Sequence, residues 1–328
     1  MAAETTGPAD PLPSEFAGDS AGQTARRLFH ATRPKFFPAS VLPVVAGTAW
    51  GVAAADGFEP LVFIVALIAT ICVHAGANVL NDVGDEQIGT DRQNDKRIYP
   101  YTGGSRFIQS GIMDQSAMAR LGITLLTVAS FGGFVLLWIK GPMVLAFGIA
   151  GVALAVLYSL GPLRLSGLGL GELAVAIGFG VLPVSGAAWL QSGQLDPPLF
   201  YFSMPISAWV AAILLINEVP DIEADSAAGK RTLPVRLGLG GTAMLYATLQ
   251  ALPLAVTTLM AIDGSLPPAS PLVPAALLVC ALRSAPAIRH GLAGRVALTR
   301  AIEATLGIHT IGTLWLAGVA LYGFLATS

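Results

Sequence analysis

The chain has 328 residues, of which 54% are hydrophobic and only 12% are charged, whereas about a quarter of the residues of an ordinary globular protein are charged. The formal net charge of −2 excludes a nucleic-acid-binding protein that works through bulk positive charge. Both cysteines, Cys72 and Cys280, lie in apolar stretches, so neither a disulfide framework nor a cysteine-ligated metal is expected. The composition predicts a membrane protein.

Residues 1–22 are rich in Ala, Pro, Gly, Ser and acidic residues and lack the features of a secretory signal, so they are predicted to be a disordered tail. A single transmembrane domain is expected over residues 23–328. Its predicted apolar spans are 36–54, 60–80, 117–138, 142–160, 170–191, 199–217, 241–262, 271–285 and 301–325. These blocks lack the alternation of a membrane β-barrel, so the sequence predicts an all-α polytopic membrane protein with nine transmembrane helices.

The distribution of basic residues predicts the orientation of these helices. With nine crossings, all of the 18 Lys and Arg residues except Lys140 fall on the same side of the membrane. Such an excess of positive charge is typical of the cytoplasmic side. The N-terminus and the two long connections, 82–116 and 218–240, are therefore expected in the cytoplasm as cap loops. The C-terminus is expected outside a plasma membrane of the bacterial type.

Each long connection follows a cluster of acidic and amide side chains. The first cluster is spaced to share one helix face and comprises Asn78, Asn81, Asp82 and Asp85. The second repeats every four residues and comprises Asn217, Asp221 and Asp225. Acidic side chains at the end of a membrane span are costly unless they are paired, so a cation between the clusters is expected. Carboxylate and amide oxygens without nearby His or Cys favour Mg²⁺ over zinc.

Basic residues follow both clusters along the chain. They are Arg92, Lys96, Arg97 and Arg106 in the first connection, and Lys230, Arg231 and Arg236 in the second. Protein-bound Mg²⁺ usually shares its coordination shell with phosphate oxygens, and basic side chains neutralise the remaining phosphate charge. The pattern therefore favours chemistry on a phosphate-bearing substrate.

These motifs resemble those of the UbiA superfamily of intramembrane prenyltransferases. The first cluster is similar to the Asn/Asp-rich pattern of the superfamily, and Asp221-x-x-x-Asp225 to its later Asp-x-x-x-Asp pattern. Arg33-Pro34-Lys35 and the run from Asp221 to Leu233 resemble the 1,4-dihydroxy-2-naphthoate polyprenyltransferases of menaquinone synthesis. The likeness extends from about Arg26 to the last predicted span.

The resemblance implies nine transmembrane helices around a central cavity and Mg²⁺-dependent transfer of a polyprenyl group from its diphosphate to an aromatic acceptor. The acceptor it implies is 1,4-dihydroxy-2-naphthoate; the other implied partner is the lipid bilayer, and no nucleic acid is expected. It implies that Mg²⁺ and diphosphate are held by Asn78, Asp82, Asp85, Asp221 and Asp225, the four Asp residues being catalytic. The candidates for neutralising the diphosphate are Lys35, Arg106, Lys230 and Arg231. Further site candidates are Asn81, Asp91, Asn217 and Tyr158.

Two alternatives remain open from the sequence. A UbiA-type enzyme could use another acceptor, such as a hydroxybenzoate, homogentisate, a chlorophyll precursor or a glycerol-phosphate lipid. A cation-coupled transporter could use the acidic residues as an ion site, although such sites usually lie near the middle of the membrane on broken helices. The acidic clusters at the ends of predicted spans, followed by basic loops, favour phosphate chemistry.

Overall fold

The computed structural model describes residues 10–55, 57–159 and 163–325, and within these ranges the protein is all-α and has no strand. The helices are α1 (Ala21–Ala31), α2 (Pro38–Ala55), α3 (Pro60–Ile88), α4 (Thr90–Gln93), α5 (Gln115–Lys140), α6 (Met143–Ser159), α7 (Gly171–Val175), α8 (Leu182–Ser192), α9 (Pro197–Asn217), α10 (Ile222–Ala227), α11 (Leu233–Ile262), α12 (Leu272–His290) and α13 (Arg295–Leu325). A π-helical turn, Ala176–Val181, joins α7 to α8. The all-α prediction is confirmed.

Every predicted span overlaps a helix of the structure. Over the described ranges, 7 helical stretches are long and apolar enough to cross a membrane, and α6 is a shorter apolar helix. The last of these stretches contains both α12 and α13. The predicted integral membrane protein is thereby confirmed, whereas the count of nine crossings and the orientation stay predictions. Residue 160, at the end of the fourth predicted span, lies outside the described residues.

The helix α3 carries the first acidic cluster on its final turns. It begins at Pro60 and continues past the predicted span end at residue 80 to Ile88, where Gly89 ends it. The first part of the predicted loop 82–116 is therefore helical. Because the cluster occurs on a regular helix, its polar side chains lie on the face that the spacing predicts.

The most closely packed half of the bundle is built from α2, α8, α9, α11, α12 and α13. Its largest fully buried side chains include Trp209, Tyr246 and Phe202. At Gly47 the backbone of α2 lies directly against α8, and a Cβ there would collide with the carbonyl oxygen of Val184. Small residues permit such close approach between membrane helices, so this half forms a rigid support beside the acidic clusters.

Residues 10–22 do not form the disordered tail that was predicted over 1–22. Pro13–Phe16 is a short 3₁₀ helix, and the buried Phe16 ring packs on Phe107 of the 82–116 connection, with 4.9 Å between ring centroids. Phe16 therefore gains an apolar partner that the polar composition around it did not reveal. Residues 1–9 of the predicted tail lie outside the described residues.

An acidic residue adds a second attachment of the N-terminal segment to this connection. Asp10 forms an ion pair with Arg97, and its carboxylate lies 3.4 Å from the Arg106 side chain. Two arginines at a partly buried carboxylate contribute more to stability than a single exposed ion pair does. The segment before α1 is thus fastened to the connection that follows the first acidic cluster.

Candidate active site

The two acidic clusters meet at one end of the bundle around Lys230. Its Nζ atom lies 2.6 Å from Asp85 Oδ1 on α3 and 3.4 Å from Asp225 Oδ1 on α10. The three side chains are between 6% and 16% exposed, so the ion pairs are shielded from solvent. Carboxylates from clusters far apart in the chain therefore share a single cation, and the clusters form one site.

A second contact joins the two connections beside Lys230. The Asn94 side-chain amide, in the first connection, donates a 2.7 Å hydrogen bond to Asp221 Oδ1 in the second. At the surface, Lys96 also pairs with Glu223 at 2.5 Å. The exposed ion pair contributes little energy by itself. The hydrogen bond from the Asn94 amide, in contrast, holds a carboxylate of the second cluster in a defined position.

Asp82 is held from the other side by the loop before Phe107. The Ser105 backbone N–H donates to Asp82 Oδ2 at 2.9 Å, and the Arg33 guanidinium lies 4.0 Å from Oδ1. A Cβ at Gly104 would lie 2.9 Å from Asp82 Oδ1 and 2.7 Å from Asp91 Oδ2, closer than side-chain atoms can approach. Only glycine therefore lets the loop lie against both carboxylates.

A cavity of about 220 Å³ opens next to these carboxylates. Its polar lining includes Arg33, Asp85, Asp91, Asp221, Asp225 and Lys230. A second cavity of about 740 Å³ is almost entirely apolar in lining and lies among α3, α5, α6 and α8. Thr70, Val73, Gly151 and Gly178 line both cavities, so the polar cavity continues into the apolar one.

The carboxylates of this site outnumber its cations, and their pKa values respond accordingly. Burial, followed by the neighbouring Asp85 and Asp82, raises the pKa of Asp91 to about 8. Burial raises the pKa of Asp225 to about 7, although Lys230 opposes the shift. Burial also raises the pKa of Asp221. The site therefore has room for additional positive charge.

The oxygen atoms left without partners suit a hard cation. Among the residues that the structure describes, the buried oxygens without a hydrogen-bond partner include Asp82 Oδ1, Asp91 Oδ2, Asn94 Oδ1 and Asn217 Oδ1. Carboxylate and amide oxygens are ligands of Mg²⁺. Within the described ranges, however, no three His, Cys, Asp or Glu side chains are grouped as ligands around one point. Lys230 already lies between Asp85 and Asp225. The remaining carboxylate and amide oxygens of the site therefore fit a metal ion that obtains its other ligands from the phosphate oxygens of a substrate.

The structure brings most of the sequence-predicted residues to the polar cavity. Besides the carboxylates, the lining includes Asn78, Asn81, Asn217 and Tyr158. Asn78 donates to the Thr32 carbonyl at 3.0 Å, and Asn81 donates to Ser159 Oγ at 3.0 Å. Asp82 lies directly behind the lining, between Ser105 and Arg33.

Three predicted phosphate-binding residues lie outside the cavity lining. Lys35 is exposed, with its ammonium 5.0 Å from the centre of the Tyr101 ring. Arg231 is also exposed. Arg106 is buried below the lining, where it donates to the Asp91 carbonyl and approaches Asp10. Of the four predicted phosphate-binding residues, Lys230 therefore lies beside the carboxylates of the cavity, and the other three do not.

Sequence reasoning missed Arg33 and Glu218 as site residues. Arg33 is the cationic residue of the Arg33-Pro34-Lys35 run that reaches the cavity, and its backbone is in the left-handed region with φ of 59°. A left-handed backbone is uncommon at a residue other than glycine, and the local sequence does not indicate it at Arg33. Glu218 stood inside the second cluster, adjacent to Asn217, and its position in the cluster was a signal that could have been used.

Comparison with known proteins identifies the class to which this fold and site belong. The model of the UbiA prenyltransferase family matches residues 40–295, and the chain belongs to this family. It is therefore a membrane-embedded prenyltransferase. Among solved structures, the fold is similar to a UbiA homolog from Archaeoglobus fulgidus bound to GPP and Mg²⁺, with a TM-score of 0.62 and 13% identity, covering 92% of this chain and 99% of that one.

Curated relatives are similar at the level of sequence. The chain is 34% identical over 218 residues to a 1,4-dihydroxy-2-naphthoate octaprenyltransferase of Haemophilus influenzae, covering 64% of this chain and 68% of the relative. It is 32% identical over 268 residues to the Mycobacterium tuberculosis protein of the same name, covering 80% of this chain and 86% of the relative. The resemblance to the superfamily inferred from the two acidic clusters is thus confirmed.

Proposed function

We propose that this prenyltransferase transfers a polyprenyl group from polyprenyl diphosphate to 1,4-dihydroxy-2-naphthoate in a Mg²⁺-dependent reaction of menaquinone synthesis. The observation that carries the proposal is the contact of Lys230 with both acidic clusters at the mouth of a cavity that continues into an apolar chamber. One end of this arrangement suits a diphosphate and the other a hydrocarbon chain.

In the proposal, the polar rim of the cavity binds the leaving group. The residues that would hold Mg²⁺ are Asn78, Asp82, Asp85, Asp221 and Asp225. When bound, Mg²⁺ supplies Lewis-acid stabilisation of the negative charge that develops on diphosphate. Lys230 and Arg33 supply fixed positive charge at the same rim, because both line the cavity. Electrostatic stabilisation of this kind is usually the largest contribution to catalysis.

The apolar chamber has two roles in this proposal. It accommodates the beginning of the polyprenyl chain, since its lining is formed by residues such as Val152, Leu182 and Phe147. It also keeps water away from the allylic carbon, because a carbocation exposed to water would be converted to an alcohol. The bond from this carbon to the diphosphate oxygen breaks, and diphosphate leaves with the electron pair. The ring carbon that carries the carboxylate bonds to the allylic carbon, and the carboxylate leaves as carbon dioxide while the electron pair of the broken bond returns to the ring.

The proposed acceptor and the proposed orientation in the membrane are supported by different observations. The relatives named as naphthoate octaprenyltransferases share 32–34% identity with most of the chain, which favours the same acceptor here. The asymmetric distribution of Lys and Arg favours an active site that opens to the cytoplasm. The proposed localisation is the plasma membrane of a bacterial cell.

A panel assay tests the proposal directly. Membranes containing the protein are incubated with labelled polyprenyl diphosphate, Mg²⁺ and one acceptor at a time: 1,4-dihydroxy-2-naphthoate, 4-hydroxybenzoate, homogentisate or a glycerol-phosphate lipid. We expect prenylated product with the naphthoate and loss of product on chelation by EDTA. Product with another acceptor alone would replace the naphthoate, and metal-driven uptake into vesicles without any product would support a transporter.

A further inference from the structure

Two glutamates on the cavity wall have no role in the chemistry described so far. Glu172 is the second residue of α7 and Glu218 directly follows α9, and they are 5% and 8% exposed. The start of α7 contacts Glu218 closely, since a Cβ on Gly171 would lie 3.8 Å from Glu218 Oε1. Glu172 directly follows Gly171, so the start of α7 places it beside Glu218. Glu218 lines the polar cavity, and Glu172 lies behind it.

Neither glutamate forms an ion pair with any residue in the part of the chain that the structure describes. Both carboxyl oxygens of Glu172 and Oε2 of Glu218 are buried without a hydrogen-bond partner in the described part of the chain. The charges that act on Glu218 are Glu172, Asp225 and Lys230, and Lys230 is already paired with Asp85 and Asp225. Buried carboxyl oxygens that lack a partner can accept a hydrogen bond from a neutral hydroxyl group.

Thr232 provides an independent indication that this wall receives a ligand. It occupies the N-cap position of α11, but its side chain makes no capping hydrogen bond. The residue is 2% exposed and lines the same cavity as Glu218, and its Oγ1 has no hydrogen-bond partner among the residues of the described ranges. The adjacent Arg231 backbone N–H donates to the Gly167 carbonyl at 2.8 Å, which keeps the start of α11 beside the segment that leads into α7. A buried N-cap threonine whose hydroxyl does not cap its helix is available to a bound molecule.

We propose that Glu218, supported by Glu172 and accompanied by Thr232, binds a hydroxyl group of the aromatic acceptor and thereby selects hydroxylated rings. The inference rests on the proposed function and specifies the acceptor side of the same cavity. A phenolic hydroxyl donates to the Glu218 carboxyl, and a hydroxyl oxygen of the same acceptor accepts from Thr232 Oγ1, so the acceptor satisfies both buried groups. A ring carboxylate is repelled by the glutamates and turns toward Arg33 and Lys230. The aromatic side chains of Tyr158 and Phe179 line the same cavity and can flank the ring.

The test measures acceptor binding in the absence of donor and Mg²⁺, so that it does not depend on turnover. The purified protein is titrated with 1,4-dihydroxy-2-naphthoate and with 2-naphthoate, which lacks the hydroxyl groups, and binding is followed by calorimetry. We expect Glu218→Met to weaken binding of the dihydroxy compound about 10- to 100-fold, because hydrogen bonds to charged groups contribute about 1.5–3 kcal/mol. Binding of 2-naphthoate should change less than about threefold.

Further variants keep the test decisive if Glu218→Met does not fold. Thr232→Val should lose affinity for the dihydroxy compound in the same direction, and Thr232→Ser should restore it because the hydroxyl is retained. Glu59→Met is the matched control, because Glu59 pairs with Lys140 away from the cavity. In turnover assays, KM for the acceptor should rise in the Glu218 and Thr232→Val variants while KM for the prenyl diphosphate stays unchanged.

Two outcomes would overturn the inference. Unchanged affinity for the dihydroxy compound in both Glu218→Met and Thr232→Val would remove the ligand role. An equal loss for both naphthoates would show a structural role only. In either case, product formation by the unsubstituted protein would leave the proposed function standing, whereas no product with any acceptor would refute the proposed function itself.

Discussion

The polar cavity and the apolar chamber adjoin each other but are built by different means. In the polar cavity, side chains are fixed by directional contacts, such as the 2.6 Å ion pair of Lys230 with Asp85 and the 2.7 Å bond of Asn94 with Asp221. In the chamber, small residues leave space, and a Cβ on Gly148 would meet no atom within 4 Å. The first region can therefore be damaged by removing a charge, and the second by adding volume. Substitutions in the polar cavity are therefore expected to lower the rate of the reaction, and substitutions in the chamber to change which prenyl chain lengths are accepted.

The largest effect is expected at the carboxylates of the polar cavity. Asp85→Asn and Asp221→Asn each remove a charge on which leaving-group stabilisation depends, so kcat should fall by about 10²–10³-fold or more. The assay is product formation from labelled polyprenyl diphosphate at saturating acceptor. Asp263→Asn, at an exposed carboxylate that accepts from Ser265, is the control and should retain activity. Full activity of either cavity variant would contradict the assignment.

The next effect concerns the cation of the polar cavity. Lys230→Met should lower activity by about 10- to 100-fold, because it removes a charge-assisted contact at the rim. It also leaves Asp85 and Asp225 buried without a cation, which is strongly destabilising. Thermal unfolding in detergent should therefore occur at a lower temperature, and added Mg²⁺ should restore it by binding to the folded state. Lys140→Met, which breaks the exposed pair with Glu59, should show no Mg²⁺-dependent recovery.

A smaller and more selective effect is expected in the chamber. Gly148→Leu fills open space in the lining, so the ratio of activities with long and short prenyl diphosphates should fall by about tenfold, since added volume in a binding pocket costs about 1–3 kcal/mol. Its measurement is kcat/KM with geranyl and octaprenyl diphosphates. Gly307→Leu on α13 is the matched control, because a Cβ there also meets nothing within 4 Å but Gly307 does not line the chamber. An unchanged ratio of the two activities in Gly148→Leu would show that the prenyl chain does not bind in the chamber.

The smallest effects are expected at basic residues outside both cavities. Lys35→Gln and Arg231→Gln should change kcat and KM for the diphosphate by less than about threefold, because exposed charges contribute about 1 kcal/mol or less. Arg33→Gln provides the contrast, since Arg33 lines the polar cavity. A large loss of activity in Lys35→Gln together with no loss in Arg33→Gln would contradict this ranking.

The membrane fold was predictable from the sequence, but the burial of its helices was not. The most apolar parts of α5 and α9 have the same mean hydropathy, 2.0, yet 17% of the residues are buried in the first and 78% in the second. Lipid tails and a protein interior are both apolar, so hydropathy marks a span without revealing which neighbours surround it. The central position of α9 required the three-dimensional packing.

The candidate site was predictable where spacing carried the information. Asp82 and Asp85 share a helix face in the sequence and in the structure, because three-residue spacing fixes the direction of their side chains. The choice between Arg33 and Lys35 depended on a left-handed backbone at Arg33, which local sequence did not indicate. Likewise, no periodic pattern relates Glu172 to Glu218, since their proximity results from tertiary packing.

The attachment of the N-terminal segment has a practical consequence for handling the protein. Asp10 and Phe16 are fastened to Arg97, Arg106 and Phe107, and Arg106 donates to the carbonyl of Asp91 in the cavity lining. Trimming the chain through Phe16, as is common before crystallisation, would remove this support from beneath the substrate cavity. Shortened preparations should therefore be compared with the intact chain before their kinetic behaviour is attributed to the enzyme.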